Sequence, residues 1–129
     1  MGTRSLTFVY NENNEPILNL YRQYDGYVAG HGNELAEFLD DLTYVNGLGA
    51  EPKNVFNGMG CLAAQLVAHF KDCPGNFYIH SVNETDCWQD YEYHIYKERI
   101  VVKKHDEVIF DSDWEDFFGY AIAKAHEVV

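Results

Sequence analysis

The residues best suited to chemistry lie close together near the end of a predicted hairpin. The first fifty residues contain only two basic side chains, Arg4 and Arg22, in a chain whose formal net charge is −12. A glycine-rich segment, residues 25–32, follows Arg22 and leads into a predicted helix. Guanidinium groups bind phosphate and carboxylate through paired hydrogen bonds, and the N–H groups at a helix start favour anions. This combination predicts an anion-binding site.

We predict that the ligand is an anionic small molecule, with a nucleotide as the leading candidate. The two arginines would bind phosphate, His31 and the loop N–H groups would assist, and two tyrosines would flank a base. The segment lacks the Gly-Lys-Ser/Thr ending of a Walker loop, and no βαβ unit follows it. The predicted ligand-binding residues are Arg4, Arg22, Tyr24, Asp25, Gly26, Tyr27, Gly30, His31 and Gly32.

Three alternatives remain open for these residues. Arg4 or Arg22 would pair with Asp25 or Glu34, so that the cluster is an internal salt-bridge network. His31 would act as a general acid or base, or Cys61 near a helix start would act as a nucleophile, in a small hydrolase or transferase. We expect a binding protein rather than an enzyme. Neither Cys-x-x-Cys nor His-Glu-x-x-His spacing is present, so the sequence predicts neither a metal site nor a cofactor.

The elements that would position the site begin with a hairpin. Residues 5–10 and 17–24 read as strands, and the intervening 11–16 are rich in turn formers. Matching the apolar faces places Leu6 and Phe8 beside Leu18 and Leu20, because a slip of one residue would turn one set outward. That parity also places both arginines on the same inward face.

The remaining pattern predicts one α+β domain over residues 1–129, in the order β-β-α-α-β-β-β-β-α, with the helices packed on one face of an antiparallel sheet. Ser112 and Glu115 are spaced as a capping box before the last helix. The strand at 87–97 is aromatic on both faces, which indicates a central strand or, alternatively, a homodimer interface or a pocket wall. The predicted helices are 33–42, 59–71 and 113–127, and the other predicted strands are 77–82, 100–104 and 108–110.

Composition limits the function classes. Nine basic residues stand against 21 acidic ones, so nonspecific binding to nucleic acid is not expected. No segment approaches the roughly 20 apolar residues of a membrane span, and no secretory signal opens the chain. The three cysteines are odd in number and not closely spaced, which is typical of a protein in a reducing compartment. We therefore expect a cytoplasmic protein. An acidic surface also suits a protein that occludes a nucleic-acid-binding partner, through Glu34, Glu37, Asp40 and Asp41 on one helix.

Several segments resemble a group of small bacteriophage and bacterial proteins of unassigned function. These segments are Met1-Gly2-Thr3-Arg4-Ser5-Leu6-Thr7, Tyr21-Arg22-Gln23-Tyr24-Asp25-Gly26-Tyr27, Gly30-His31-Gly32 and Asn57-Gly58-Met59-Gly60-Cys61-Leu62-Ala63-Ala64. Val28 stands where that group has proline. The resemblance implies a phage or prophage accessory protein acting in the host cytoplasm, with counter-defence as an expected role. It implies no activity or catalytic residue.

Overall fold

A mixed sheet of six strands forms the centre of the protein. The computed structural model describes residues 2–40, 42–47 and 54–127. The strand order is β5-β2-β1-β6-β7-β8, and a separate parallel pair, β3-β4, completes the strands found there. The strands are β1 Ser5–Tyr10, β2 Pro16–Arg22, β3 Thr43–Val45, β4 Val55–Asn57, β5 Phe77–His80, β6 Tyr91–Tyr96, β7 Arg99–Lys104 and β8 Glu107–Ser112. The helices are α1 Asn33–Leu39, α2 Gly58–Phe70 and α3 Trp114–Glu127, with a π-helical turn at Val28–Gly32 before α1.

The predicted α+β class is confirmed, and the helices pack on one face of the sheet. Their apolar sides meet the same face of the central strands, as the helical spacing predicts. On α2, the predicted residues Met59, Leu62, Leu66 and Phe70 are all buried. The sheet contributes Val9, Leu18, Leu20, Tyr93, Ile95, Ile100 and Val102 to this core.

The predicted antiparallel arrangement is correct for every strand pair of the large sheet except one. β6 runs parallel to β1 at the centre of the sheet. β5 pairs with β2 at the far edge, and β6, β7 and β8 form an antiparallel meander. The chain must therefore return from β5 across the sheet, and residues 81–90, the crossover segment, make that connection. The sequence did not reveal this crossover, because a connection of ten residues is compatible with several sheet topologies.

The predicted pairing of the hairpin is wrong by one residue. Ser5 pairs with Arg22 and Thr7 with Leu20, so Leu6 and Phe8 lie on the opposite face from Leu18 and Leu20. Leu6 and Phe8 are nevertheless buried, as are the residues between and beside them. β1 is a central strand covered on both faces, and such a strand carries no alternation from which its facing can be read.

Two smaller predictions also need correction. The sequence predicts no strand at β3 or β4, because three-residue strands are too short to show a period. The cap of α3 is Asp113, whose Oδ1 accepts the Asp116 N–H at 2.8 Å. Ser112 instead donates to the Asp116 carboxylate at 2.6 Å, so the predicted capping box at Ser112 and Glu115 is displaced by one residue.

Candidate functional site

Arg22 lies inside the protein and is bound by protein groups. Only 6% of the residue is exposed. Its Nε donates to the Tyr24 carbonyl at 2.6 Å, and its Nη2 donates to Glu34 Oε2 at 3.1 Å. The guanidinium carbon lies 4.9 Å from the centre of the Phe77 ring. This is the internal pairing with Glu34 that the sequence left open as an alternative.

His31 extends this buried network. Its Nδ1 lies 3.1 Å from Arg22 Nη1, and its Nε2 lies 2.8 Å from Thr7 Oγ1. An arginine can only donate, so Nδ1 is the acceptor and the ring proton is on Nε2. Burial, and secondarily the charge of Arg22, lowers the pKa of His31 from 6.5 to about 3. His31 is therefore a neutral group that orders the interior of the hairpin end.

The glycine-rich loop uses its N–H groups within the protein. Gly26 N donates to the Thr3 carbonyl at 2.8 Å, Gly30 N to the Tyr27 carbonyl at 3.0 Å and Gly32 N to the same carbonyl at 3.4 Å. A side chain on Gly30 would place its Cβ 2.6 Å from the Asp25 carbonyl oxygen, so close packing requires glycine there. The seven-residue α1 continues from the π-helical turn, so its start presents no cradle of free N–H groups.

The other predicted site residues lie at the surface around this network. Tyr24, Asp25 and Tyr27 are exposed, and the Tyr27 hydroxyl donates weakly to Asp25 Oδ1 at 3.5 Å. The backbone carbonyl of Arg4 accepts the Asp90 N–H at 2.9 Å. Because Arg22 pairs with Ser5 rather than with Arg4, the hairpin does not set the two guanidinium groups opposite each other.

A cleft of about 480 Å³ opens on the outer side of the same loop. We call it the tyrosine–lysine cleft. One wall is the start of the π-helical turn, and the others come from β6, β7, β8 and the end of α3. Its lining residues are Tyr27, Val28, Ala29, Tyr91, Lys104, Ile109, Tyr120, Lys124 and Glu127.

The cleft combines aromatic rings with two ammonium groups. Lys104 Nζ lies 5.7 Å from the centre of the Tyr91 ring, and Lys124 Nζ lies 5.8 Å from the centre of the Tyr120 ring. Burial, followed by the nearby Tyr91 and Glu127, raises the pKa of the Tyr120 phenol. Tyr120 is therefore protonated at neutral pH and can donate a hydrogen bond. Such a site offers ring faces and positive charge to a flat anionic molecule.

The sequence predicted Tyr27 as a ligand-binding residue, although for a site around Arg4 and Arg22, and it predicted no such role for Lys104, Lys124 or Tyr120. Lys104 ends a strand and Lys124 lies in the last turn of α3, twenty residues further along the chain. No local spacing connects two such positions, because only the packing of α3 beside β7 and β8 brings them together. The sequence contained no signal that would have found this pair.

The face of the sheet opposite the helices carries a second polar network. The Tyr10 hydroxyl lies 2.6 Å from His94 Nδ1, and His94 Nε2 lies 2.9 Å from Glu92 Oε1. The Phe8 ring stacks on His94 with 5.1 Å between ring centres. Hydrogen bonding from His94 lowers the pKa of Glu92, and burial raises the pKa of Tyr10. Tyr93 and Ile95 of the same strand face the helices.

Two further groups bear on the catalytic and metal alternatives. Cys61, on α2, donates through Sγ to Gln65 Oε1 at 3.3 Å. His80, Glu84 and Cys87 bring a ring nitrogen, a carboxylate oxygen and a sulfur within 4.8 Å of one another. The absence of standard metal-binding spacing hid this group in the sequence, because one member ends β5 and the other two lie in the crossover segment.

No family model matches the chain, and neither a curated protein nor a solved structure matches it significantly. Within the described ranges, none of the helices has the length and apolar character of a membrane span.

Proposed function

We propose that the protein binds an anionic small molecule with a flat ring, a nucleotide being the leading candidate, in the tyrosine–lysine cleft. The observation that carries the proposal is the convergence of Lys104 and Lys124 beside the rings of Tyr91 and Tyr120. The cleft volume of about 480 Å³ lies within the range of small-molecule sites. The proposed site therefore differs from the one that the sequence predicted around Arg4 and Arg22, with which it shares Tyr27 of the glycine-rich loop.

Charge supports an anion as the ligand. The chain has nine basic residues against 21 acidic ones, and two of the nine line this one cleft. Glu127 pairs with Lys124, with 3.6 Å between Oε2 and Nζ, and leaves Lys104 to contact a phosphate directly. An incoming phosphate would also compete with Glu127 for Lys124. Stacking on tyrosine adds affinity that tolerates different bases.

Calorimetric titration of the protein with ATP, cyclic dinucleotides and ADP-ribose derivatives tests the proposal. Saturable binding of at least one of them is expected, and added salt should weaken it. Lys104→Ala and Lys124→Ala should each lower the affinity at least about tenfold, or ~1.4 kcal/mol. Lys103→Ala is the matched control, because Lys103 pairs with Glu92 and its side chain points to the opposite face of the sheet.

Two results would contradict this function. One is the absence of binding by the wild-type protein across the panel. The other is an equal loss of affinity in Lys103→Ala, which would indicate nonspecific attraction to positive charge. The proposed context, a phage or prophage accessory protein that sequesters a nucleotide signal, rests on the sequence resemblance together with such binding.

The second candidate is an acidic inhibitor of a host nucleic-acid-binding factor. Glu34, Glu37 and Asp40 are exposed on or beside α1, which supports it, whereas Asp41 lies outside the described residues. Glu34 also forms an ion pair with Arg22. Capture of a specific host protein, weakened by salt and by Glu37→Gln, would favour this candidate over the cleft. A hydrolase using His31 or Cys61 has less support, because His31 is fully buried and neutral.

A further inference from the structure

The crossover segment and the end of β5 bring together three side chains of different ligand chemistry. His80 Nδ1 lies 3.2 Å from Cys87 Sγ and 3.7 Å from Glu84 Oε2. All three ligand atoms lie within 4.8 Å of one another. The group is on the sheet face opposite the helices, away from the tyrosine–lysine cleft.

We propose that His80, Glu84 and Cys87 form a binding site for a divalent transition-metal ion of the zinc class. Zinc bonds of about 2.0–2.3 Å in tetrahedral geometry require neighbouring ligand atoms about 3.3–3.6 Å apart. The distances from His80 Nδ1 to its two neighbours, 3.2 and 3.7 Å, are close to that requirement. An ion could therefore enter with only small movements of the side chains.

The chemistry of the donor set favours zinc-like ions over magnesium or calcium. Thiolate and imidazole prefer Zn²⁺ and related ions, whereas Mg²⁺ and Ca²⁺ prefer oxygen ligands. Burial, Glu84 and Asp86 together raise the pKa of the Cys87 thiol. The carboxylates of Glu84 and Asp86 disfavour the thiolate. Their negative charge also attracts a dication, and a bound dication would stabilise the thiolate.

The surrounding residues hold the ligands in place before any ion binds. The His80 ring stacks on Tyr21, with 4.9 Å between ring centres and 6° between planes. The Asn19 amide donates to the carbonyls of Ser81 and Glu84, each at 2.9 Å. Such outer contacts orient metal ligands and reduce the ordering required on binding.

Access from solvent is also present. The His80 side chain is 25% exposed and that of Glu84 58% exposed, and Cys87 is half-buried. Three protein ligands leave a fourth tetrahedral position for water. The site is thus built like an open zinc centre rather than a closed structural one.

Titration of the reduced, full-length protein with Co²⁺ tests the proposal. Tetrahedral cobalt bound to a thiolate gives a sulfur-to-metal charge-transfer band in the near ultraviolet. We expect this band to saturate at one equivalent, to disappear when Zn²⁺ is added, and to resist Mg²⁺. A wild-type protein that develops no saturable thiolate band would overturn the proposal.

The three free cysteines supply matched controls. Cys87→Ser should abolish the band, whereas Cys61→Ser and Cys73→Ser should keep it, because those thiols lie on α2 and in the turn after it. His80→Ala and Glu84→Gln should each lower the affinity about tenfold or more. Glu84→Gln changes an exposed side chain, so it tests the site even if Cys87→Ser misfolds. A band that is lost with Cys61 or Cys73, or a cobalt affinity that Glu84→Gln leaves unchanged, would refute the assignment.

Discussion

At the scale of single residues, Arg22 shows how burial changes the role of a charged side chain. The sequence predicted that Arg22 binds a phosphate. In the structure, its guanidinium group instead contacts Tyr24, His31 and Glu34. A charge with this little exposure requires internal hydrogen bonds, because it has lost most of its contact with water. Its donors therefore serve the fold, while exposed lysines remain available to a ligand.

Replacement of Arg22 by methionine should destabilise the protein. Arg22→Met keeps the aliphatic stem but removes hydrogen bonds to a charged group, and we expect a loss of about 2 kcal/mol in the free energy of unfolding. Urea unfolding followed by circular dichroism measures it. Arg99→Met is the control, because Arg99 forms a solvent-exposed pair with Asp111 and should change the unfolding midpoint little. If Arg22→Met were as stable as this control and failed to bind nucleotide, Arg22 would be a ligand residue after all.

At the scale of elements, the helices were more predictable than the sheet. Helical spacing depends on one exposed and one buried side, and α2 shows both clearly. The strand order of a sheet depends on which strand edges pair. Here β5 and β6 pair with opposite edges of the β1–β2 hairpin. The start of α3 shows the limit of local signals, because Asp113 rather than Ser112 caps the helix.

The cap of α3 can be tested directly. Asp113→Ala should lower the free energy of unfolding by about 1 kcal/mol, because it leaves the Asp116 N–H without its acceptor. Glu115→Ala is the informative comparison, since a capping box at Ser112 would make Glu115 important. Chemical denaturation of both variants should show the larger loss for Asp113→Ala. The reverse order would restore the predicted box.

At the scale of the whole molecule, His31 is buried by the meeting of several elements. Its ring contacts Phe70 of α2, Phe77 of β5 and Tyr93 of β6, with 5.0–6.4 Å between ring centres. Thr7 of β1 and Arg22 of β2 bind its two nitrogens. Folding therefore holds His31 in its neutral form.

This burial makes stability depend on acid. The pKa of His31 is about 3 in the folded protein and 6.5 when exposed, so below pH 6.5 the unfolded chain binds a proton that the folded protein excludes. Stability should fall as the pH drops from about 6.5 towards 3, and the part of this loss between pH 7 and pH 5 is about 2 kcal/mol. His31→Gln can keep both hydrogen bonds but cannot titrate, so its stability should fall less over that interval. Urea unfolding at both pH values measures the difference, and identical falls in the two proteins would contradict a buried neutral His31.

The sequence by itself determined the α+β class, the three helices and the hairpin, and it indicated a central position as one alternative for the strand that contains Tyr93. These features follow from local periodicity, turn formers and the burial that a two-sided aromatic strand requires. It also named Tyr27 as a ligand-binding residue, but for a site around Arg4 and Arg22 rather than for the tyrosine–lysine cleft.

Only the tertiary structure decided which face of β1 meets the helices, which charges are buried and which are free to meet a ligand. A strand buried on both faces has no alternation to fix its facing, and that ambiguity misplaced Arg4 relative to Arg22. The tyrosine–lysine cleft and the group at His80 join residues from separate elements or from an irregular connection. Their proximity comes from packing and from the path of the crossover segment, which local sequence patterns do not encode.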